Sequence, residues 1–143
     1  MIRQNTVFLE NQRGRLSALC RTMGEAGVNM HALTITESAD YGLVRIICDD
    51  PDKAKAALDA ADFRSNISKV SAIQIPNRPG GLADMIAVLD DLNLNIEYGY
   101  CFSTEGGLAV DVFKIRGEAA NAEAAFKLEA AGFRVLRQGR SEE

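Results

Sequence analysis

Apolar positions recur along the chain with two periods, and the whole pattern occurs twice. Leu16, Leu19, Cys20 and Met23 fall at i, i+3, i+4 and i+7, the spacing that gathers side chains on one face of a helix. Leu82, Met85, Ile86 and Leu89 repeat it. Gly27 and Asn93 are the stops, since both residue types accept the left-handed conformation that ends a helix. Short β-prone runs, Thr6–Glu10 and Val70–Ile75, precede the two helices and end in polar turns. Strands over Met30–Thr36 and Ile96–Ser103 follow them. Further strands come next, over Gly42–Cys48 and Gly107–Ile115, after turns holding Asp40 or Glu105-Gly106, so each copy contains a hairpin. Asp49-Asp50-Pro51 then offers an N-cap with proline at the first helical position, where its missing N–H is harmless; that role is preferred over cation binding for the two aspartates. Ala54, Ala57, Leu58 and Ala61 form the stripe of a second helix, answered by Ala124, Leu128 and Ala131 with Lys127 interrupting. Phe63–Ile67 and Phe133–Leu136 are short final strands.

Aligned directly, Asn11-Gln12-Arg13-Gly14-Arg15-Leu16 falls on Asn77-Arg78-Pro79-Gly80-Gly81-Leu82, 66 positions later, and Asn29 falls on Asn95 at the same displacement. Gly42-Leu43 meets Gly107-Leu108 after 65 positions and Phe63 meets Phe133 after 70, so the copies differ by small insertions where loops belong. The order βαββαβ, twice, predicts an α+β chain of two tandem ferredoxin-like domains, residues 1–68 and 69–143, each an antiparallel sheet with its helices on one face. The other face is left uncovered. Tyr98, Tyr100 and Phe102 share one side of their strand by the period of two. Copies this short are marginal alone, so the sheets or their edges are expected to associate, within the chain or in a homodimer.

Composition narrows the function classes. Hydrophobic residues at 47% and charged residues at 25% are those of a soluble globular protein. A net charge of −4 with scattered basic residues argues against nucleic acid. The late cluster Arg134, Arg137 and Arg140 reads as a solvated tail balanced by Glu142 and Glu143. The N-terminus lacks a secretory pattern and no apolar run is long enough to span a bilayer, which leads us to expect a cytoplasmic protein without membrane contact. Cys20, Cys48 and Cys101 are odd in number, far apart and set in apolar runs, so they read as small core hydrophobes rather than disulfide or metal residues. His31, the single histidine, reads as a half-exposed strand residue near the pocket rim. It leaves no histidine-based metal site and only one candidate base for a catalytic triad. No phosphate-loop or dinucleotide fingerprint is present, and no cofactor is expected.

The turn between strand one and helix one is the most informative segment. Gly14, Gly80 and Gly81 let backbone approach a ligand closely, and the helix behind offers unpaired N–H groups at its positive end, which suits a carboxylate. Asn11 and Asn77 offer both an acceptor and a donor. Asn29 and Asn95 open the next strand, each 18 positions after its partner. Together the four amides and two helix ends could hold an amphoteric ligand. The alternative is structural: asparagine before a glycine turn also serves as a cap or Asx-turn, and Asn29 and Asn95 also punctuate a helix-to-strand turn.

Asn77-Arg78-Pro79-Gly80-Gly81-Leu82, followed by a helix and Leu94-Asn95-Ile96, resembles the N-x-P-G-x-L…N-I pattern of ACT domains, and Asn11 to Met30 resembles a second copy. The whole chain is similar to small stand-alone tandem ACT proteins. The resemblance implies a ferredoxin-like regulatory module that binds amino acids where two such domains pair side by side or face to face. By position it implies ligand contacts from Asn11, Arg13, Gly14, Arg15, Leu16, Asn29 and Met30 in copy one. The corresponding set in copy two is Asn77, Pro79, Gly80, Gly81, Leu82, Asn95 and Ile96. Arg13 stands in place of the usual proline and Arg15 in place of Gly81, so the first pocket either grips a carboxylate more tightly or is filled by its own arginine. A polar residue that some members place two positions before the turn asparagine is Leu9 or Ile75 here.

The expected function is a non-catalytic sensor: a small ligand, an amino acid, shifts the pairing of ACT domains, and an enzyme or regulator partner reads the change. The alternatives are a ligand-independent adaptor or tandem-ACT regulator of gene expression, and a small enzyme, for which the sequence offers no convergent acid and base.

Overall fold

The computed structural model describes residues 1–10, 12–37, 41–104 and 106–138; Asn11, Asp40, Glu105 and the tail residues Arg140, Glu142 and Glu143 lie outside them. The chain divides into two compact units, Arg3–Ser68 and the stretch from Lys69 onward together with Met1 and Ile2.

In the first unit the elements are β1 (Ile2–Glu10), α1 (Arg15–Glu25), β2 (Met30–Glu37), β3 (Tyr41–Cys48), α2 (Pro51–Ala60) and the opening residues of β4 (Arg64–Pro76). Strand order runs β2-β3-β1, with Glu10 opposite Tyr41 and Met30 opposite Cys48. Val7, Leu9, Val44 and Ile46 pack against Leu19 and Met23 of α1 and Ala54 and Leu58 of α2. Asp50 caps α2 by accepting from Lys53 N at 3.1 Å, with Pro51 at the first helical position, as the sequence led us to expect.

The second unit continues β4 and adds α3 (Gly81–Leu89), β5 (Ile96–Thr104), β6 (Leu108–Ile115), α4 (Glu118–Ala130) and β7 (Arg134–Val135), ordered β7-β4-β6-β5. All pairings are antiparallel. Its core unites Ile73, Ile75, Met85, Leu89, Ala109, Ile115, Ala124 and Leu128. Both units are thus α+β and ferredoxin-like, with two helices on one face of an antiparallel sheet. The two short strands expected on either side of Ser68 are one strand of 13 residues. No glycine or proline interrupts Arg64 to Ile75, so nothing forces the chain to turn there.

Burial corrects four expectations. Cys48 is buried, but Cys20 and Cys101 are exposed: Cys20 lies beside the buried stripe of α1, and Cys101 on an edge strand. Leu16 and Leu82, first members of their helical stripes, are 39% and 46% exposed, because the first turn overhangs the sheet. Ala61 and Ala131 sit at the C-cap of α2 and α4 and are exposed as well. The sheet faces turned away from the helices are not bare: Gln4 and Ile47 in the first unit and Ala72 and Val112 in the second are all below 8% exposed.

Candidate functional site

The two turns share one backbone. Gln12 N donates to Glu10 O and Arg15 N to Gln12 O in copy one; Arg78 N donates to Pro76 O and Gly81 N to Arg78 O in copy two. Each helix is capped by a left-handed glycine, Gly14 at φ 87° and Gly80 at φ 84°, without a side-chain cap. Asn77 therefore does not cap α3; its N–H is donated to Gly107 O at 2.8 Å. A Cβ at Gly81 would overlap the Pro76 carbonyl oxygen, so glycine is required at that point of copy two.

The side chains differ more. In copy two Arg78 spans the turn, donating to Pro79 O at 3.1 Å and pairing with Asp84 at 2.8 Å. A carboxylate thus already occupies the first turn of α3. In copy one the first turn of α1 holds no acid. Arg13 is exposed, while Arg15 folds back so that its guanidinium lies 4.3 Å from the centre of the Phe63 ring. Its Nε is shut off from solvent and has no hydrogen-bond partner. Leu9 and Ile75 are core residues at 7% and 5% exposure.

Topology separates the asparagines of one copy. Asn29 O accepts from Asp49 N, and Asn29 N donates to Asp49 Oδ1, so this residue lies beyond the last residue of β3, while the turn follows Glu10 opposite the first, Tyr41. The eight residues of β3, at about 3.3 Å each, put roughly 26 Å between them. Asn95 is likewise bonded to Arg116 N after β6, whereas Asn77 is bonded to Gly107 before it. A strand-helix-strand passage returns the chain to the end it started from, so the turn and the strand-opening asparagine of one copy cannot share a ligand. Beside Asn29, Met30 packs on the core and His31 is exposed, far from its own turn rather than at the rim; Ile96 is 41% exposed.

The edges of the sheets are apolar. Leu33 and Ile35 of β2 pair with Ile46 and Val44 on the helix-covered face, yet are 36% and 52% exposed because the helices stop short of the edge. In copy two the register puts Cys101, opposite Asp111, in the place of Leu33, and Gly99 lies on the same face opposite Phe113. A Cβ at Gly99 would come 2.6 Å from the Phe113 ring, so the glycine lets that ring lie across β5. Tyr98, Tyr100 and Phe102 alternate to the opposite face, half-buried.

Sequence reasoning overlooked a cleft of about 420 Å3 in copy one, lined by Phe8, Glu10, Arg15, Tyr41, Asp62 and Arg64 among others. The signal was available in the alignment: four of these six fall on Gln74, Gly81, Gly106 and Gly132 in copy two, and Glu10 on Pro76. Among the described residues no group of three or more His, Cys, Asp or Glu side chains is placed to hold a metal ion, and no helix is long and apolar enough to cross a membrane.

Comparison with known proteins agrees with this architecture. A family model described as an ACT domain pair matches residues 1–130. The crystal structure of protein BT0572 from Bacteroides thetaiotaomicron is 34% identical and superposes with a TM-score of 0.85, covering 94% of this chain and 91% of that one. The ligand-free regulatory subunit of aspartate kinase from Thermus thermophilus shares the fold at 17% identity and a TM-score of 0.64, over 91% and 92% of the two chains. No curated protein matches the sequence. With a model that spans nearly the whole chain and a duplicated βαββαβ unit carrying the glycine-capped turn, the protein belongs to the ACT domain pair family, whose architecture fits a regulatory, ligand-binding role.

Proposed function

We propose that this protein is a non-catalytic regulator that binds an amino acid at a site completed only when two ACT copies pair edge to edge, and that a partner enzyme or regulator reads the change in pairing. The supporting observation is the separation of the turn after Glu10 from Asn29, and of Asn77 from Asn95, at opposite ends of their sheets. Antiparallel pairing of two edge strands reverses one copy against the other and brings the turn of each beside the strand-opening asparagine of its neighbour. The edges are suited to this, since β2 and β5 each have a single strand neighbour and carry exposed Leu33, Ile35 and Ile96. The donors and acceptors gathered there are amides, arginines and helix N–H groups, which orient a zwitterion but do not exchange protons near neutral pH. Three free thiols fit a cytoplasmic setting. The same exposed edge supports a second reading, a ligand-independent adaptor whose edge docks on a partner.

Titration calorimetry on the full chain with the proteinogenic amino acids tests the proposal. At least one binds, and Asn77→Ala and either Asn29→Ala or Asn95→Ala weaken it tenfold or more. Pairing of unlike copies makes Asn77 act with Asn29; pairing of like copies makes it act with Asn95. Binding of none of the amino acids contradicts the proposal and leaves the adaptor. Binding untouched by these substitutions contradicts the site.

A further inference from the structure

The cleft of copy one lies within a single copy and needs no pairing. Four charged side chains line it, Arg15 and Arg64 against Glu10 and Asp62, yet among the described residues no ion pair joins any of them. Each guanidinium is instead parked on a ring: Arg15 at 4.3 Å from the Phe63 centroid and Arg64 at 5.4 Å from that of Phe8. Arginines held this way keep their in-plane N–H groups for a planar anion, and the Arg15 Nε, shut off from solvent, lacks a partner. Phe8 and Tyr41, tilted at 49° with centroids 6.3 Å apart, supply an aromatic wall.

The backbone under the cleft is unusual as well. Asp62 holds φ 62°, the single non-glycine residue at positive φ among those described. It occupies the place after α2 where copy two has Gly132 at φ 93°. Both positions belong to the same helix-ending motif, with Phe63 N bonded to Leu58 O and Phe133 N to Leu128 O, each at 2.9 Å. Copy one thus keeps a carboxylate at a position that favours glycine. Both signs of charge, none paired internally, beside an aromatic wall, define a ligand that carries both charges and a flat apolar body. The volume lies in the range of small-molecule sites.

We propose that this cleft is a second ligand site, specific to copy one, for an aromatic zwitterion of the aromatic α-amino acid class. The carboxylate meets Arg15 and Arg64, the ammonium meets Glu10 and Asp62, and the ring lies on Phe8 and Tyr41. The site does not depend on the edge-pairing proposal, and the same titration separates the two. L-Phenylalanine is titrated into the full chain beside 3-phenylpropanoate, which lacks the ammonium, and phenethylamine, which lacks the carboxylate. L-Phenylalanine binds at least tenfold more tightly than either analogue, and Arg64→Ala and, at the exposed rim, Tyr41→Ala, neither of which belongs to the edge-paired site, each weaken it tenfold or more. No binding of L-phenylalanine, an equal affinity for 3-phenylpropanoate, or indifference to both Arg64→Ala and Tyr41→Ala overturns the proposal.

Discussion

A buried acid in copy two shows how single residues depart from the repeat. Asp111 is 3% exposed between Ile73 and Cys101 on neighbouring strands, where copy one has the core residue Ile46. Its Oδ2 has no hydrogen-bond partner. Burial raises its pKa above the usual carboxylate value, and a hydrogen bond from Cys101 only partly offsets this. A carboxyl with a raised folded pKa binds its proton more tightly in the folded state, so stability is highest below the unfolded value. It falls as pH rises through the window between the unfolded and folded values. Asp111→Asn removes the charge and retains the shape. It is expected to raise the unfolding free energy by about 1 kcal/mol at pH 7, and to change it little at pH 3, where wild type is protonated in both states. Urea denaturation at the two pH values measures this, and a difference that is the same at both would show that ionisation of Asp111 is not the cause.

Between elements, the two copies fasten helix to sheet with the same kind of polar contact built in reverse. In copy one the asparagine is on the strand: Asn5, fully buried, donates to Pro51 O at the start of α2 at 3.1 Å. In copy two it is on the helix: Asn121 of α4 accepts from Ser71 Oγ at 2.8 Å and donates to Ile115 O and Gly117 O. Ser71 falls on Asn5 at the displacement of 66 and Asn121 on Pro51 at that of 70, so the pair is conserved as a contact while its members are exchanged. Asn121→Ala leaves Ser71 and two carbonyls without this partner in a buried place, and is expected to cost about 2–3 kcal/mol in chemical denaturation. A loss below about 0.5 kcal/mol would mean that the contact does not hold α4 to the sheet.

At the scale of the molecule, the elements were legible in the sequence because their determinants are local: the i, i+3, i+4, i+7 stripes, the glycine turns and Asp50-Pro51. What was not legible depends on register and on side chains meeting across the sheet. Asn77 and Asn95 look like one pair in the sequence, yet the length of β6 between Gly107 and Arg116 sets them at opposite ends. Asn121 looks like an interruption-free surface position and is buried because Ser71 waits opposite it. Cys101 looks like core and is exposed because β5 is an edge. The cleft could be read only from the differences between copies, Asp62 against Gly132 and Tyr41 against Gly106, and a search for sameness passes over them. Copy one, with Arg15 turned inward and an unoccupied first helical turn, and copy two, with Arg78 and Asp84 already paired across its turn, are therefore not interchangeable as ligand sites.

The central claim is that this pair of ACT domains responds to an amino acid, and a thermal-unfolding screen of the full chain against the proteinogenic amino acids tests it most directly. The account predicts that at least one of them, at a hundred times its dissociation constant, adds about 2.7 kcal/mol of apparent stability. An unchanged unfolding curve with every amino acid at millimolar concentration would contradict it.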